Sequence, residues 1–265
     1  MKVDISVVLV GAGRLATCLG KAFHRIGIPI VQVFSRTEQS ARTLAEEVNA
    51  EWTTDIAAIR RDATLYLTAL TDNALLQLIP LLTQGREQAL WVHTAGSVPM
   101  NVWQQGGVKH CGVVYPMQTF SKEREVNFQT IPIFIEASTP ADLALLRALA
   151  GQLSGRVMEA NSEQRKSLHL AAVFTCNFAN HVYDLAARLL NHYGLPFDVM
   201  LPLIDETAAK VHTMLPRDAQ TGPAVRHDTT VIDAHLRMLE PNPRMHEVYR
   251  LLSESIHYYS KDNEQ

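Results

Sequence analysis

Ile5-Ser6-Val7-Val8-Leu9-Val10-Gly11-Ala12-Gly13-Arg14-Leu15-Ala16 is an apolar, β-branched run that passes directly into a glycine-rich turn. The run is short enough for a buried strand, and the residues from Leu15 to Ile26 have helical periodicity. The turn therefore reads G-x-G-x-x-A at a strand-to-helix junction, the context that gives this motif its meaning. Gly11 permits the tight turn, Gly13 lets a pyrophosphate approach the backbone, and Ala16 keeps the helix close to the sheet. The N–H groups of Ala12, Gly13, Arg14 and Leu15 open the helix, where free donors and the dipole favour phosphate.

Outward from this turn, strand-like runs alternate with helical segments. The runs are Ile5–Val10, Ile30–Phe34, Ala63–Ala69, Ala89–His93, Gly112–Val114, Pro132–Glu136 and Arg156–Met158. Between them lie amphipathic stretches at Leu15–Ile26, Glu38–Val48, Asn73–Leu82 and Ala141–Leu153. Continuous apolar strands separated by helices predict a Rossmann-type, mainly parallel sheet covered on both faces. From Ser162 the pattern becomes all helical: one helix from Ser162 to Asn191 without Gly or Pro, then Pro196–Met214, Asp228–Leu239 and Pro243–Ser260. The expected organisation is an α/β domain over residues 1–158 and an all-helical domain over residues 159–265.

The second strand selects the cofactor. It ends in Ser35-Arg36-Thr37 with no acid before Glu38. A carboxylate there would accept from ribose hydroxyls and repel a 2′-phosphate, whereas Arg36 can hold that phosphate bidentately with two hydroxyls beside it. NADP is the expected cofactor, and Thr37 also suits the N-cap of the next helix. Ligands of such sheets bind at the carboxyl ends of the strands. Leu70 and Thr71 are expected to line the cofactor groove; Asp72 suits either that groove or a helix cap. Thr94, Gly96 and Ser97 form a small polar turn expected beside the nicotinamide, with Ser97 toward substrate. His93 lies within its strand and reads as a satisfied core histidine.

On the long helix, Ser162, Lys166, His169, Val173, Asn177, Asn180 and Asp184 share an arc of roughly 80° at 100° per residue. The remaining circumference is apolar, which predicts burial on most sides and a polar stripe facing a cleft. Hydride transfer between a nicotinamide and C=O or C=N needs a proton donor and a group to hold the heteroatom. His169 suits the first task and Asn177 the second, with Lys166 as a further acid/base candidate. In the loop Gln220–Asp228, Gly222 permits close approach, Pro223 stiffens the turn and Arg226 could clamp a substrate carboxylate; equally, the loop is a helix connection with Asp228 as N-cap.

Composition excludes several classes. The chain of 265 residues has 24 Lys+Arg against 27 Asp+Glu, a net charge of −3. Neither half is basic, which argues against nucleic acid. Its 11 histidines show no i, i+4 ligand pair, so no metal site is expected. Cys18, Cys111 and Cys176 are far apart, and no apolar stretch approaches a membrane span. The expected setting is the cytoplasm.

Taken together, GAGRLATCLGKAF, HTAGSVP, YPMQTF, RKSLHLAAVFTCNFANH and QTGPAVRHD, in this order, resemble the two-domain NADP oxidoreductase family in which a Rossmann-like domain precedes the helical domain of unknown function 2520. That family is similar, more distantly, to pyrroline-5-carboxylate reductases and the 6-phosphogluconate dehydrogenase superfamily. The resemblance implies a helical domain of the 6-phosphogluconate dehydrogenase C-terminal type that forms a homodimer, and an active site between domains. It implies substrate roles for His169, Asn177, Thr221, Gly222, Pro223 and Arg226. Many members carry His-Pro where this chain has Tyr115-Pro116, so a Tyr hydroxyl is the available donor there. Lys166 is followed four residues later by Leu170 rather than Asn, a departure from the β-hydroxyacid dehydrogenases. The expectation is an NADP(H)-dependent oxidoreductase acting on a small, carboxylated carbonyl or imine compound. The alternatives are a non-catalytic NADP-binding sensor on the same scaffold and a true pyrroline-5-carboxylate reductase.

Overall fold

Every side chain of β1 (Val7–Val10) is buried, because the strand runs through the middle of a sheet covered on both faces. The computed structural model describes residues 5–261. After β1 come α1 (Arg14–Arg25), β2 (Ile30–Phe34), α2 (Glu38–Val48), β3 (Glu51–Thr53), β4 (Leu65–Thr68), α3 (Asp72–Thr83) and β5 (Leu90–His93). β6 (His110–Pro116), β7 (Ile133–Ala137), α4 (Pro140–Leu153) and β8 (Val157–Glu159) complete the α/β part. The strands lie in the order β3-β2-β1-β4-β5-β6-β7-β8. All neighbours are parallel except β6 and β7, which pair antiparallel with Pro116 opposite Ile133.

This is the Rossmann-type sheet that the strand pattern predicts, with one strand more. β3 is three residues long at the sheet edge, with Glu51 and Trp52 exposed, so it has no apolar periodicity to betray it. Successive residues of β1 point to opposite faces. Leu9 joins Leu19, Phe23, Leu44 and Leu146 in one core; Val8 and Val10 join Tyr66, Ile79, Trp91 and Trp103 in the other. Tyr66 and Trp91 stack there with centroids 4.4 Å apart.

The helical part begins with α5 (Ser162–Ala172), started by a capping box in which Asn161 and Gln164 satisfy each other's backbone N–H. A π-helical stretch follows at Val173–Phe178, then α6 (Ala179–His192), α7 (Leu201–Lys210), α8 (Pro216–Ala219), α9 (Thr229–Leu239) and α10 (Pro243–Lys261). The single uniform helix expected from Ser162 to Asn191 is thus corrected. Its backbone is helical throughout, but the wider π turns rotate everything after Val173 away from the 100° progression. The expected burial is corrected as well: Leu170, Phe174 and Phe178 are 59%, 62% and 51% exposed. An apolar helix face is hidden only where another surface covers it. The expected helix Pro196–Met214 shortens to α7 after a 3₁₀ turn at Phe197–Met200, with Pro202 confined to the first turn, where its missing N–H costs nothing.

The chain divides into two compact units, Met1–Asn177 and Phe178–Gln265. The change of pattern near residue 158 marks where strands end. α5 is nonetheless part of the first unit, to which Arg165 ties it by bonds to Ala95, Val98 and Glu136.

Candidate functional site

Gly11 has φ +116°, and a Cβ there would stand 2.5 Å from the Ala69 carbonyl oxygen, so the turn admits no side chain. Gly13 is the N-cap of α1, and a Cβ built on it meets nothing within 4 Å: its backbone borders open space. No side chain caps α1 and no acid lies in its first turn, so its N-terminal N–H groups are free to donate to an anion. A cavity of about 660 Å³ begins here, bordered by Gly11, Ala12 and Gly13, by Ser35, Arg36 and Thr37 after β2, and by Leu70 and Thr71 after β4. Arg36 is exposed and forms no ion pair among the described residues. The Thr37 side chain makes no capping bond although the residue occupies the N-cap of α2, which leaves its hydroxyl free. Arg14 is exposed in the first turn of α1, while Leu15 packs against the core; neither lines the cavity. Among the lining residues that were missed are Ile56 and Leu78, which supply apolar wall, and Lys122, which comes from the connection between β6 and β7. Nothing local marks them, since each reaches the cavity from a different segment.

At the far end of the same unit, the Tyr115 hydroxyl and His169 Nδ1 are 3.3 Å apart, with the rings edge to face. Both border a second cavity of about 500 Å³, together with Met117, Gln118, Thr119, Ala172 and Asn177. Burial raises the Tyr115 phenol above its ordinary value, with Arg165 opposing the rise. The phenol therefore stays protonated at neutral pH and can donate to Nδ1; an imidazole that accepts this bond at Nδ1 carries its N–H on Nε2. His169 and Asn177 share a cavity as expected, although the π stretch separates them. Lys166 does not join them; it is exposed and pairs with Glu163 at 3.0 Å.

The polar turn after β5 divides its tasks. Gly96 lies against His169, for a Cβ there would be 2.7 Å from Nδ1. Ser97 donates to the Asp72 carboxylate. Thr94 is buried, and its hydroxyl donates to the Thr68 carbonyl at 3.2 Å, so it braces two strands. Asp72 is the first residue of α3, with Thr71 in the N-cap position. His93 is a core residue as expected, but only half satisfied. Its Nδ1 accepts from the Ala95 N–H at 3.2 Å, Nε2 has no partner among the described residues, and burial pushes the imidazole down to about 3.

In the second unit, Gly222 has φ +110°, a conformation that favours glycine. Thr221 and Arg226 are exposed, and Pro223 is half-buried. Asp228 caps α9 by accepting from the Val231 N–H at 3.2 Å. His227 stacks on His257 with centroids 3.9 Å apart. Among the described residues no group of three or more His, Cys, Asp or Glu could hold a metal ion, and no helix is long and apolar enough to cross a membrane.

Two family models match the chain: a Rossmann-like domain over residues 1–114 and the domain of unknown function 2520 over residues 131–256. The crystal structure of a Bacteroides fragilis protein named as a "putative NADP oxidoreductase" is 62% identical, with a TM-score of 0.92 and coverage of 96% of this chain and 98% of that one. An imine reductase from Myxococcus stipitatus in complex with NADP+ is 17% identical, with a TM-score of 0.66 over 97% of this chain and 93% of that one. A pyrroline-5-carboxylate reductase from Coxiella burnetii is 14% identical, with a TM-score of 0.61 over 99% and 100%. At such identities the last two share the fold. No curated protein matches.

Proposed function

The chain belongs to the family that joins a Rossmann-like domain to the domain of unknown function 2520, and we propose that it is an NADP(H)-dependent oxidoreductase transferring hydride to or from a small, carboxylated carbonyl or imine compound. The observation that carries this reading is the Tyr115–His169 pair on a cavity at the carboxyl end of β6. β6 lies three strands from β1, about 14 Å at the usual strand spacing, so both cavities open along the ligand-binding edge of one sheet.

The residues present fit the cofactor. The open backbone at Gly13 and the uncapped start of α1 suit a pyrophosphate, while Arg36, Ser35 and Thr37 suit a 2′-phosphate. When bound, NADPH supplies the hydride. The protein's part is to hold the acceptor and deliver a proton to its oxygen or nitrogen. His169 is the proton donor through Nε2, Tyr115 re-supplies Nδ1, and Asn177 offers an amide to orient the heteroatom. Thr94, whose hydroxyl donates to the Thr68 carbonyl, remains with Gly96 a candidate to border the nicotinamide. Ser97, Thr221, Gly222, Pro223 and Arg226 remain the candidates for the substrate's polar groups, Arg226 for its carboxylate. Sharing of one cavity by His169, Tyr115 and Asn177 favours a catalyst over a sensor.

The exposed Leu170, Leu195 and Leu203 favour a homodimer formed through the helical domain of residues 159–265, since a monomer rarely leaves so many large apolar side chains in water. The three free cysteines accord with a cytoplasmic setting. The decisive assay follows NADPH oxidation with 1-pyrroline-5-carboxylate, a cyclic imine without carboxylate, and a set of 2-oxo acids. Turnover of at least one is expected, and His169→Ala abolishes it while NADPH affinity stays within about threefold. Full turnover by His169→Ala would remove the imidazole from the mechanism.

A further inference from the structure

Arg165 lies on α5 one helical turn before His169, and its side chain is 1% exposed. Nε donates to the Ala95 carbonyl at 3.2 Å, and Nη2 donates to the Val98 carbonyl at 2.6 Å and to Ser162 Oγ at 3.4 Å. Nη1 pairs with the Glu136 carboxylate of β7. The Ser162 hydroxyl donates to that same carboxylate at 2.9 Å and accepts from the Met100 N–H at 3.0 Å. One guanidinium thus joins β7, the start of α5 and the turn after β5. A buried ion pair adds little net stability, because desolvation offsets the attraction; what it offers is one defined arrangement of its neighbours.

The arrangement held here includes both groups of the proton site. Gly96 lies between the two carbonyls that Arg165 holds, and a methyl group on it would stand 2.7 Å from His169 Nδ1 and 2.9 Å from its Cβ and Cγ. The imidazole therefore rests on the backbone of that turn. Tyr115 pairs with Phe134 and Val113 with Glu136, which puts Tyr115 and Glu136 on one face of the sheet. We infer that Arg165, held by Glu136, is the positioning residue of the Tyr115–His169 pair: it locks the Ala95–Val98 turn and, through Gly96, sets the imidazole at the distance at which the phenol can pass it a proton. This inference rests on the proposed role of that pair. Arg165 also acts on Tyr115 by charge, opposing the rise that burial causes, so one side chain governs both the distance and the charge.

The test uses the full chain with Arg165→Lys, Arg165→Met and Glu136→Gln. The first readout needs no turnover: the phenol of Tyr115 is titrated by NMR of ring-labelled tyrosine, its signal identified by its loss in Tyr115→Phe. Arg165→Met moves that titration upward, and Glu136→Gln, which leaves the guanidinium charge unneutralised, moves it downward. Arg165→Lys keeps the charge but cannot span all four acceptors, so the titration stays near its original position. With 1-pyrroline-5-carboxylate as probe, all three variants lower kcat, the lysine variant by about 10²-fold, with KM and NADPH affinity within about threefold. A merely structural brace would lower the melting temperature and leave kcat of the folded variants unchanged. An unchanged Tyr115 titration in folded Glu136→Gln or Arg165→Met overturns the inference, and should Arg165→Met fail to fold, the isosteric Glu136→Gln decides. Undiminished turnover in His169→Ala would instead defeat the proton-site reading, and the Tyr115 titration separates the two failures.

Discussion

His93 ends β5 wholly buried, and burial first, then the Arg165 charge, drives its imidazole down to about 3 from an ordinary 6.5. Between those values the unfolded chain binds a proton that the folded chain refuses. The associated stability is complete above 6.5 and is lost as pH falls toward 3, amounting to about 2 kcal/mol by pH 5. The urea midpoint should therefore fall between pH 7.5 and pH 5, and less steeply in His93→Phe, where nothing titrates. Arg36 yields a second residue-scale expectation: Arg36→Ala weakens NADPH binding about tenfold or more, and NADH binding hardly at all, in a fluorescence titration. Gly11 and Gly13 were legible because their constraint is local: a positive φ and a close backbone approach leave a signature in the residue type itself. Arg165 was not legible, although it stands only about 40° from His169 on a helical wheel. Its acceptors are the carbonyls of residues 95 and 98 and the carboxylate of residue 136, and no spacing in the chain announces that they meet.

The turn after β5 and the helix that packs on it form a unit in which neither part has room to spare. A Cβ at position 96 would fall inside the His169 ring's contact distance, so Gly96→Ala must displace the imidazole. The expected outcome is a loss of kcat of about 10²-fold, with NADPH affinity unchanged by fluorescence titration and only a modest fall in melting temperature. Elements with strong apolar periodicity, such as β1, β4 and α1, were read from residues 5–69 with bounds close to those observed. Two elements escaped. β3 is too short and exposed to show a period, and the π stretch at Val173–Phe178 has the same helix-forming composition as the turns around it. A uniform 100° progression therefore placed Asn180 and Asp184 on one stripe with His169, while the cavity admits Asn177 and the intervening Thr175 and Cys176 instead.

For the whole chain, light scattering at micromolar concentration should give twice the chain mass, and Leu170→Asp with Leu203→Asp should halve it by placing charges on the exposed apolar surface. The division into a sheet-forming part and a helical part was visible in the change from alternating strands to unbroken helices. The membership of α5 in the first unit was not, because it depends on a tertiary ion pair. One reversal of chain direction has a broader effect. Because β7 runs against β6, with Ile133 opposite Pro116, the connection over residues 117–132 leaves and re-enters the sheet at the same edge. That single connection contributes Met117, Gln118 and Thr119 to one cavity and Lys122 to the other. Its conformation is thus common property of the two ligands. By thermodynamic linkage, whatever factor a bound dinucleotide imposes on the affinity of the second cavity, an occupant of that cavity imposes equally on the dinucleotide.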